Sequence, residues 1–150
     1  MTSSSDEKRQ RAKELGADHT INYRSVSEWG KAVANWAGGG VDHVVEVGGK
    51  DTLQQSIEAA QVGGRIPMIG VRSGFEQQIA IPNIFGKNLH VIGLSVGSRG
   101  MFEKMASAIE RNHLKPVVDR TVPFNAVPEA LKLMQQRCHF GKIVVRFPGP

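Results

Sequence analysis

The fold is decided by one stretch, Val41-Asp-His-Val-Val-Glu-Val-Gly-Gly49. Its β-branched residues favour a strand, and its two glycines favour a turn at the carboxyl end of that strand. Similar apolar runs end in glycine at residues 65–70 and 89–97, and helix-forming segments separate them. Apolar strands that alternate with helices predict a parallel sheet covered on both faces. The fold class is therefore α/β, doubly wound, with right-handed crossovers.

Helix starts are predicted from capping patterns. Residues 4–7 and 25–28 both run from serine to glutamate in the spacing of a capping box, and Asp51 can cap a third helix that runs to the next glycine pair. The second helix carries Trp29 and Trp36 on one apolar stripe, which predicts that both rings enter the core.

Composition is typical of a globular protein and narrows its partners. The 150 residues suffice for one domain with a core, and no apolar run reaches the roughly 20 residues of a transmembrane helix, so we expect no membrane partner. The single cysteine, Cys138, suits a reducing compartment, and we expect a cytoplasmic location. A net charge of +5 suits a phosphate-bearing cofactor or nucleic acid. The basic cluster at residues 8–13 is either a solvated helix face or an anion-binding element.

Six short motifs follow one another along almost the whole chain. They are Thr2-Ser-Ser-Ser-Asp-Glu-Lys8, Ala12-Lys-Glu-Leu-Gly-Ala-Asp18, Ile21-Asn-Tyr-Arg24, the stretch 41–49, Gly63-Gly-Arg-Ile-Pro-Met-Ile-Gly70 and Gly141-Lys-Ile-Val-Val145. In this order and spacing the chain resembles the medium-chain dehydrogenase/reductase family. The nearest subgroups are the zinc-type alcohol dehydrogenase-like proteins and the quinone oxidoreductases.

The resemblance implies a Rossmann-like sheet that is truncated at its N-terminus. The family's dinucleotide fingerprint, G-x-G-x-x-G, does not occur in this sequence and precedes the matched region in the family. We expect a partial nicotinamide-dinucleotide-binding domain over residues 1–115. Residues 116–150 are expected to form a C-terminal strand–helix–strand extension that packs on the family's catalytic domain.

The same resemblance implies the cofactor-binding part of an NAD(P)(H)-dependent oxidoreductase, of the alcohol/aldehyde dehydrogenase or quinone/enone reductase type. Without the fingerprint we expect the isolated chain to be inactive. The alternative is a non-catalytic dimerisation module, or a nucleotide- or RNA-binding module, of Rossmann-like fold. The single tyrosine and two tryptophans argue against a stacking platform for RNA, so a nucleic-acid partner is not expected.

Neither a catalytic residue nor a metal site is evident in the sequence. One cysteine and five histidines without metal-ligand spacing predict that this segment binds no zinc, and the histidines are interpreted as structural or surface residues. They are His19, His43, His90, His113 and His139.

The resemblance assigns the adenosine half of the cofactor to the first strand end. Ser3 stands where NAD-preferring members of the family place an acidic residue for the ribose 2′-hydroxyl, and its neighbour Ser4 is expected to bind the cofactor as well. Because serine does not repel a 2′-phosphate and Lys8 can attract one, NADP(H) is favoured over NAD(H). The alternative is that the serines merely cap a helix. Tyr23 resembles a residue beside the adenine, or is simply a solvent-facing tyrosine.

The nicotinamide half is assigned to the next strand ends. The positions that match the family beside the nicotinamide ribose, together with one strand-end glycine, are Val47, Gly48, Ile69, Gly70 and Val71. The alternative is that the glycines are ordinary turn residues. Lys142 aligns with a basic residue that reaches the cofactor phosphates in some members, or is a surface lysine.

The strand Leu89 to Val96 is predicted to be the last of the parallel set and therefore an edge. An apolar edge invites pairing with a second copy, and the family's dimers commonly join two such edges. We therefore expect a homodimer centred on Val91, Gly93 and Ser95. The alternative is that residues 117–147 fold back and cover this strand.

Overall fold

The computed structural model describes residues 1–149, so Pro150, the last residue of the predicted extension, lies outside it. Two compact units are present, Met1–Val96 and a second one that begins at Gly97. The boundary between these units does not test the two domains expected at residues 1–115 and 116–150, because a compact unit need not coincide with a domain of the family. That division stays a prediction.

The first unit is built from short parallel strands. They are β1 (Thr2–Ser3), β2 (Ile21–Asn22), β3 (Val41–His43), β4 (Ala60–Met68) and β5 (His90–Gly93). β1 pairs with β2, and the other three form a sheet in the order β3-β4-β5. Every one of these pairings is parallel, which confirms the α/β class with a parallel sheet.

Helices connect these strands in the expected alternation. They are α1 (Asp6–Glu14), α2 (Trp29–Trp36), α3 (Leu53–Ala59) and the short α4 (Pro82–Phe85). The cap of α1 falls on Ser5, one residue later than the predicted box, and its hydroxyl oxygen accepts a hydrogen bond from the Lys8 N–H at 3.3 Å. No helix in residues 1–149 is both long and apolar enough to cross a bilayer.

Two predictions about α2 are wrong. The capping box at residues 25–28 does not form: Glu28 precedes the helix without a side-chain cap, and the Ser25 hydroxyl instead donates to the Asn22 carbonyl at 3.1 Å. Trp36 does not enter the core. Its side chain is 53% exposed and stacks on the His19 ring, with centroids 4.8 Å apart.

The buried contact of α2 is made by a glycine instead. Gly30 is buried, and a Cβ added to it would lie 2.2 Å from the Gln55 carbonyl oxygen on α3. The two helices therefore meet backbone to backbone at this point, and that close approach leaves no space for a larger residue.

The limits predicted for α3 are also wrong. The residue before the helix is Thr52 rather than Asp51, and it makes no side-chain cap; its hydroxyl donates to Glu46 at 2.6 Å. The helix ends at Ala59 and β4 begins at the next residue. At this end of the helix, the Lys87 ammonium group donates to the carbonyls of residues 57, 58 and 60 at 3.1, 2.9 and 2.8 Å.

The core lies between α3 and the sheet. Ile57, Ala60 and Ile66 are fully buried and form its centre. Partly buried side chains surround them, namely Val44, Leu53, Met68, Ile79, Ile84 and Leu89. This cluster fixes the carboxyl ends of β3 and β4 relative to the start of α3.

The predicted edge position of β5 is confirmed. The strand pairs with β4 on one side, and no strand of the described residues pairs with its other side. All four of its residues are exposed.

The second unit contains a helix followed by the predicted strand–helix–strand. Its elements are α5 (Arg99–Arg111), β6 (Val118–Pro123), a 3-10 turn (Phe124–Ala126), α6 (Val127–Gln136) and β7 (Lys142–Arg146). β6 and β7 are parallel. Ser98 caps α5 by accepting from the Met101 N–H at 3.3 Å, and Pro128 lies in the first turn of α6, where its missing N–H is tolerated.

Candidate functional site

The loops that follow β3 and β4 are joined to each other. The parallel pairing continues beyond the strands through bridges between Glu46 and Met68 and between Gly49 and Gly74. The Ser73 N–H and hydroxyl both donate to the Gly48 carbonyl, at 2.8 and 2.9 Å. We call residues 47–50 and 69–74 the paired loops. They lie at the carboxyl edge of a parallel sheet, which is where α/β proteins bind ligands.

The glycines of the paired loops are needed for this close pairing. A Cβ added to Gly70 would lie 2.8 Å from the Val47 carbonyl oxygen, and one added to Gly48 would lie 2.2 Å from the Thr52 hydroxyl oxygen. The space beside these glycines is thus filled by the protein itself. Packing within the protein therefore explains why these positions are glycine. Their contact with a cofactor stays a prediction.

Three apolar side chains of the paired loops face solvent. Val47, Ile69 and Val71 are 46, 51 and 42% exposed. Exposed β-branched side chains at a strand end provide a surface against which a flat, largely apolar ring can pack.

A buried carboxylate lies beneath the paired loops. The Glu46 side chain is 2% exposed, and its Oε1 accepts from the N–H of Gly48 at 2.6 Å and of Gly49 at 2.9 Å. The Thr52 hydroxyl donates to the same oxygen at 2.6 Å, and the Ser56 hydroxyl donates to Oε2. Both carboxylate oxygens therefore have partners within the protein.

These partners determine the charge state of Glu46. Burial alone raises the pKa of its carboxyl group and is the largest single influence. The hydrogen bonds from Ser56, Thr52, Gly49 and Gly48 together outweigh burial and hold the pKa below its usual value. The group is therefore ionised at neutral pH.

Glu46 is the functional candidate that the sequence reasoning missed. One signal was present: an acidic residue inside an apolar strand, directly before a glycine pair. Since a glutamate is almost never fully buried unless it is paired, that position predicts a set of donors close by in the chain.

The end of the first sheet brings two predicted adenosine-side residues together. The Tyr23 N–H donates to the Ser3 carbonyl at 3.1 Å, and Tyr23 is 45% exposed. The Ser3 hydroxyl oxygen accepts from the Ser5 N–H at 3.3 Å, so it supports the start of α1 while its own hydrogen is left to donate elsewhere. Ser4, which lies between Ser3 and Ser5 in the sequence, is half-buried.

Lys8 is half-buried and lies in the first turn of α1, three residues after Ser5. Two acidic residues, Asp6 and Glu7, lie in the same turn, and the Asp6 carboxylate accepts from Arg9 at 2.6 Å and from Asn22 at 3.0 Å. Asn22 is the larger of the two influences that lower the pKa of the Asp6 carboxyl group. The helix start therefore combines N–H groups and a lysine, which favour anions, with two acidic side chains, of which Asp6 is already paired.

Lys142 belongs to the second unit. It lies exposed on β7, and its N–H donates to the Val117 carbonyl at 2.8 Å. Its predicted contact with the cofactor phosphates stays a prediction.

A parallel sheet with ligand-accessible loops at its carboxyl edge defines a Rossmann-like nucleotide-binding fold. Comparison with known proteins agrees with this class. Residues 1–111 match the family described as zinc-binding dehydrogenase, and the chain belongs to that family. The predicted resemblance is thereby confirmed.

Individual relatives show the same relationship. A zinc-type alcohol dehydrogenase-like protein of Schizosaccharomyces pombe is 40% identical over 151 residues, which cover 97% of this chain and 44% of that protein. A crystal structure from Sinorhizobium meliloti 1021, named provisionally as an alcohol dehydrogenase, is 43% identical with a TM-score of 0.88. A crystal structure named NAD-dependent alcohol dehydrogenase is 35% identical with a TM-score of 0.84. Both matches cover 97% of this chain and 42% of the other, so the chain spans less than half the length of these relatives.

The family description implies zinc, which proteins bind through clustered Cys, His and acidic side chains. Within residues 1–149 no group of three or more His, Cys, Asp or Glu side chains is placed to hold a metal ion.

Proposed function

We propose that the chain is the cofactor-binding part of an NAD(P)(H)-dependent oxidoreductase. The substrate class is an alcohol, a carbonyl compound or an activated alkene, and the dinucleotide supplies the hydride chemistry. The observation that carries the proposal is the exposed apolar surface of Val47, Ile69 and Val71 on the paired loops. A nicotinamide ring can pack on this surface, since it lies at the strand ends where a parallel α/β sheet binds its ligand.

The residues of the first unit would divide the cofactor between them. Val47, Ile69 and Val71 would pack against the nicotinamide side and exclude water from it. Gly48 and Gly70 would present no side chain that could block the nicotinamide ring. Ser3, Ser4, Lys8 and Tyr23 would bind the adenosine side.

The proposed cofactor is NADP(H) rather than NAD(H). β1 ends in serines instead of a carboxylate, and Lys8 lies in the adjoining helix turn. One related crystal structure is named NAD-dependent, so family membership alone leaves the choice open. The local charge supports NADP(H), because a 2′-phosphate would be attracted by a lysine and would meet no repelling carboxylate at Ser3.

We further propose that the protein forms a homodimer through the free edge of β5. The strand is unpaired on that side among the described residues. Apolar side chains in the strand and directly after it are exposed, namely Val91, Ile92 and Leu94 at 36, 41 and 49%. A symmetric pairing of two such edges closes the interface. A cytoplasmic location, and inactivity of the 150-residue chain by itself, complete the proposal.

Fluorescence titration of the protein that contains this chain with NADPH and NADH tests the function. Tight, saturable binding of a dinucleotide is expected. Absence of binding to both dinucleotides, together with salt-dependent binding of single-stranded RNA, would overturn the proposal in favour of an RNA-binding module.

A further inference from the structure

We infer that Glu46 is a positioning residue for the nicotinamide half of the cofactor: its carboxylate and its carbonyl together hold both paired loops in the arrangement that exposes Val47, Ile69 and Val71. The inference rests on the proposed function, because it assigns a role within that same site.

The side chain of Glu46 holds the first loop. Its Oε1 accepts from the N–H groups of Gly48 and Gly49 at 2.6 and 2.9 Å. The hydroxyls of Thr52 and Ser56, at the start of α3 and within it, donate to the same carboxylate. One carboxylate thus ties the loop after β3 to the helix that follows it.

The backbone of Glu46 holds the second loop. Its carbonyl oxygen accepts from the N–H of Ile69 at 2.8 Å and of Gly70 at 3.3 Å, and its own N–H donates to the Pro67 carbonyl at 3.0 Å. Glu46 is therefore bonded to both loops of the pair, through its side chain on one and through its backbone on the other.

Glu46 acts through these neighbours rather than by touching the cofactor. The residue is 2% exposed, and both of its carboxylate oxygens are occupied by donors of the protein. In Glu46→Gln one carboxylate oxygen becomes an NH2 group, which cannot accept a hydrogen bond, and the remaining oxygen is neutral, so the N–H groups of Gly48 and Gly49 lose their charged acceptor. The loop would be free to turn those N–H groups toward water, and Val47 would turn with them.

The test compares the binding of a whole dinucleotide with the binding of its adenosine half. In the protein that contains this chain, Glu46→Gln is titrated with whichever of NADPH and NADH the wild type binds more tightly. It is also titrated with the adenosine half of that dinucleotide, adenosine 2′,5′-bisphosphate or AMP. We expect the Kd of the whole dinucleotide to rise about tenfold or more, as for the loss of hydrogen bonds to a charged group. The Kd of the adenosine half should stay within about twofold, because Ser3, Lys8 and Tyr23 are unchanged.

A second pair of variants keeps the carboxylate in place. Thr52→Val removes one donor to Glu46 at nearly constant shape, whereas Thr52→Ser retains the hydroxyl. We expect Thr52→Val to weaken binding of the whole dinucleotide selectively, by less than Glu46→Gln does, and Thr52→Ser to restore it. Glu14→Gln serves as the control for charge, since Glu14 is exposed on α1 and accepts from the Gln10 amide at the surface.

The outcomes separate the inference from the function on which it rests. If the wild type binds no dinucleotide, the proposed function fails. If the wild type binds, but Glu46→Gln binds as well as wild type or weakens both ligands equally, the positioning role fails. If Glu46→Gln does not fold, the Thr52 pair decides: equal dinucleotide affinity of the valine and serine variants overturns the inference.

Discussion

The Ser56 hydroxyl donates a hydrogen bond to the buried carboxylate of Glu46, ten residues earlier in the chain. This contact is one of four that hold the pKa of Glu46 below its usual value despite burial. A group whose pKa is lower in the folded than in the unfolded state stabilises the fold while it is ionised.

The first prediction concerns the pH dependence of stability. The contribution of Glu46 is present above the unfolded pKa of about 4.3 and is lost as the pH falls through the lower folded value. Glu46→Gln should therefore lower stability at pH 7 by about 1–3 kcal/mol and should show a smaller loss than wild type on acidification. Urea unfolding at a series of pH values measures both effects.

Glu14→Gln is the control for this experiment, and it should follow the wild-type curve. The wild-type slope also contains Asp6, whose pKa is lowered, so the informative quantity is the difference between wild type and variant. A difference that does not shrink as the pH falls would contradict the prediction.

The second prediction concerns the choice of cofactor. Ser3→Asp should shift the preference from NADPH toward NADH, because a carboxylate at the end of β1 repels a 2′-phosphate and can accept from a 2′-hydroxyl. The ratio of the two dissociation constants, from fluorescence titration, measures the shift. Ser27→Asp introduces the same charge at an exposed loop position and should leave the ratio unchanged. A wild-type protein that binds NADH as tightly as NADPH would refute the prediction.

The third prediction concerns the end of α3. Lys87→Met keeps the aliphatic stem but removes the ammonium group that donates to three carbonyls. We expect a loss of about 1–3 kcal/mol in the free energy of unfolding, since these carbonyls lose a charged partner. Lys31→Met, which breaks an exposed pair with Glu28, should have little effect. Equal losses in the two variants would show that the contacts of Lys87 do not contribute.

The fourth prediction concerns activity. The 150-residue chain should show no turnover of alcohols, aldehydes or quinones, because the sequence lacks the glycine-rich loop that binds the pyrophosphate of a dinucleotide. Spectrophotometry at 340 nm with either dinucleotide would measure it, since reduced nicotinamide is followed directly. Steady turnover by the purified chain would contradict the prediction.

Periodicity predicted the elements well and the contacts poorly. The apolar run of residues 41–49 and the alternation of strands with helices were enough to identify a parallel sheet. The same reasoning placed Trp36 in the core, because an apolar stripe specifies a helix face but not which of its residues are covered. In the structure the buried contact is made by Gly30, where two backbones meet.

In the candidate site, too, the strand ends could be predicted from the sequence but the side-chain contacts could not. The strand ends that carry Val47 and Ile69 could be located from the glycines that follow them. Glu46 could not be recognised in this way, because its four donors come from a loop and a helix whose positions depend on the folded chain. The residue type of Asp51 predicts a cap for α3, whereas in the structure the helix is preceded by Thr52, whose hydroxyl donates to Glu46.

The last prediction concerns assembly through β5. The Leu94 N–H donates to the Met68 carbonyl on β4 at 2.9 Å, and successive residues of a strand direct their N–H groups to opposite sides. The N–H groups of Val91 and Gly93 therefore point away from β4, toward the free edge. Val91→Pro should weaken the dimer by removing one of these donors while leaving the pairing with β4 intact, and Ile92→Lys should weaken it by placing charge beside the same edge. Sedimentation equilibrium measures both, with thermal melts to show that the variants remain folded. A wild type that is monomeric at tens of micromolar, or folded variants that dimerise as well as wild type, would show that the edge of β5 is not the interface.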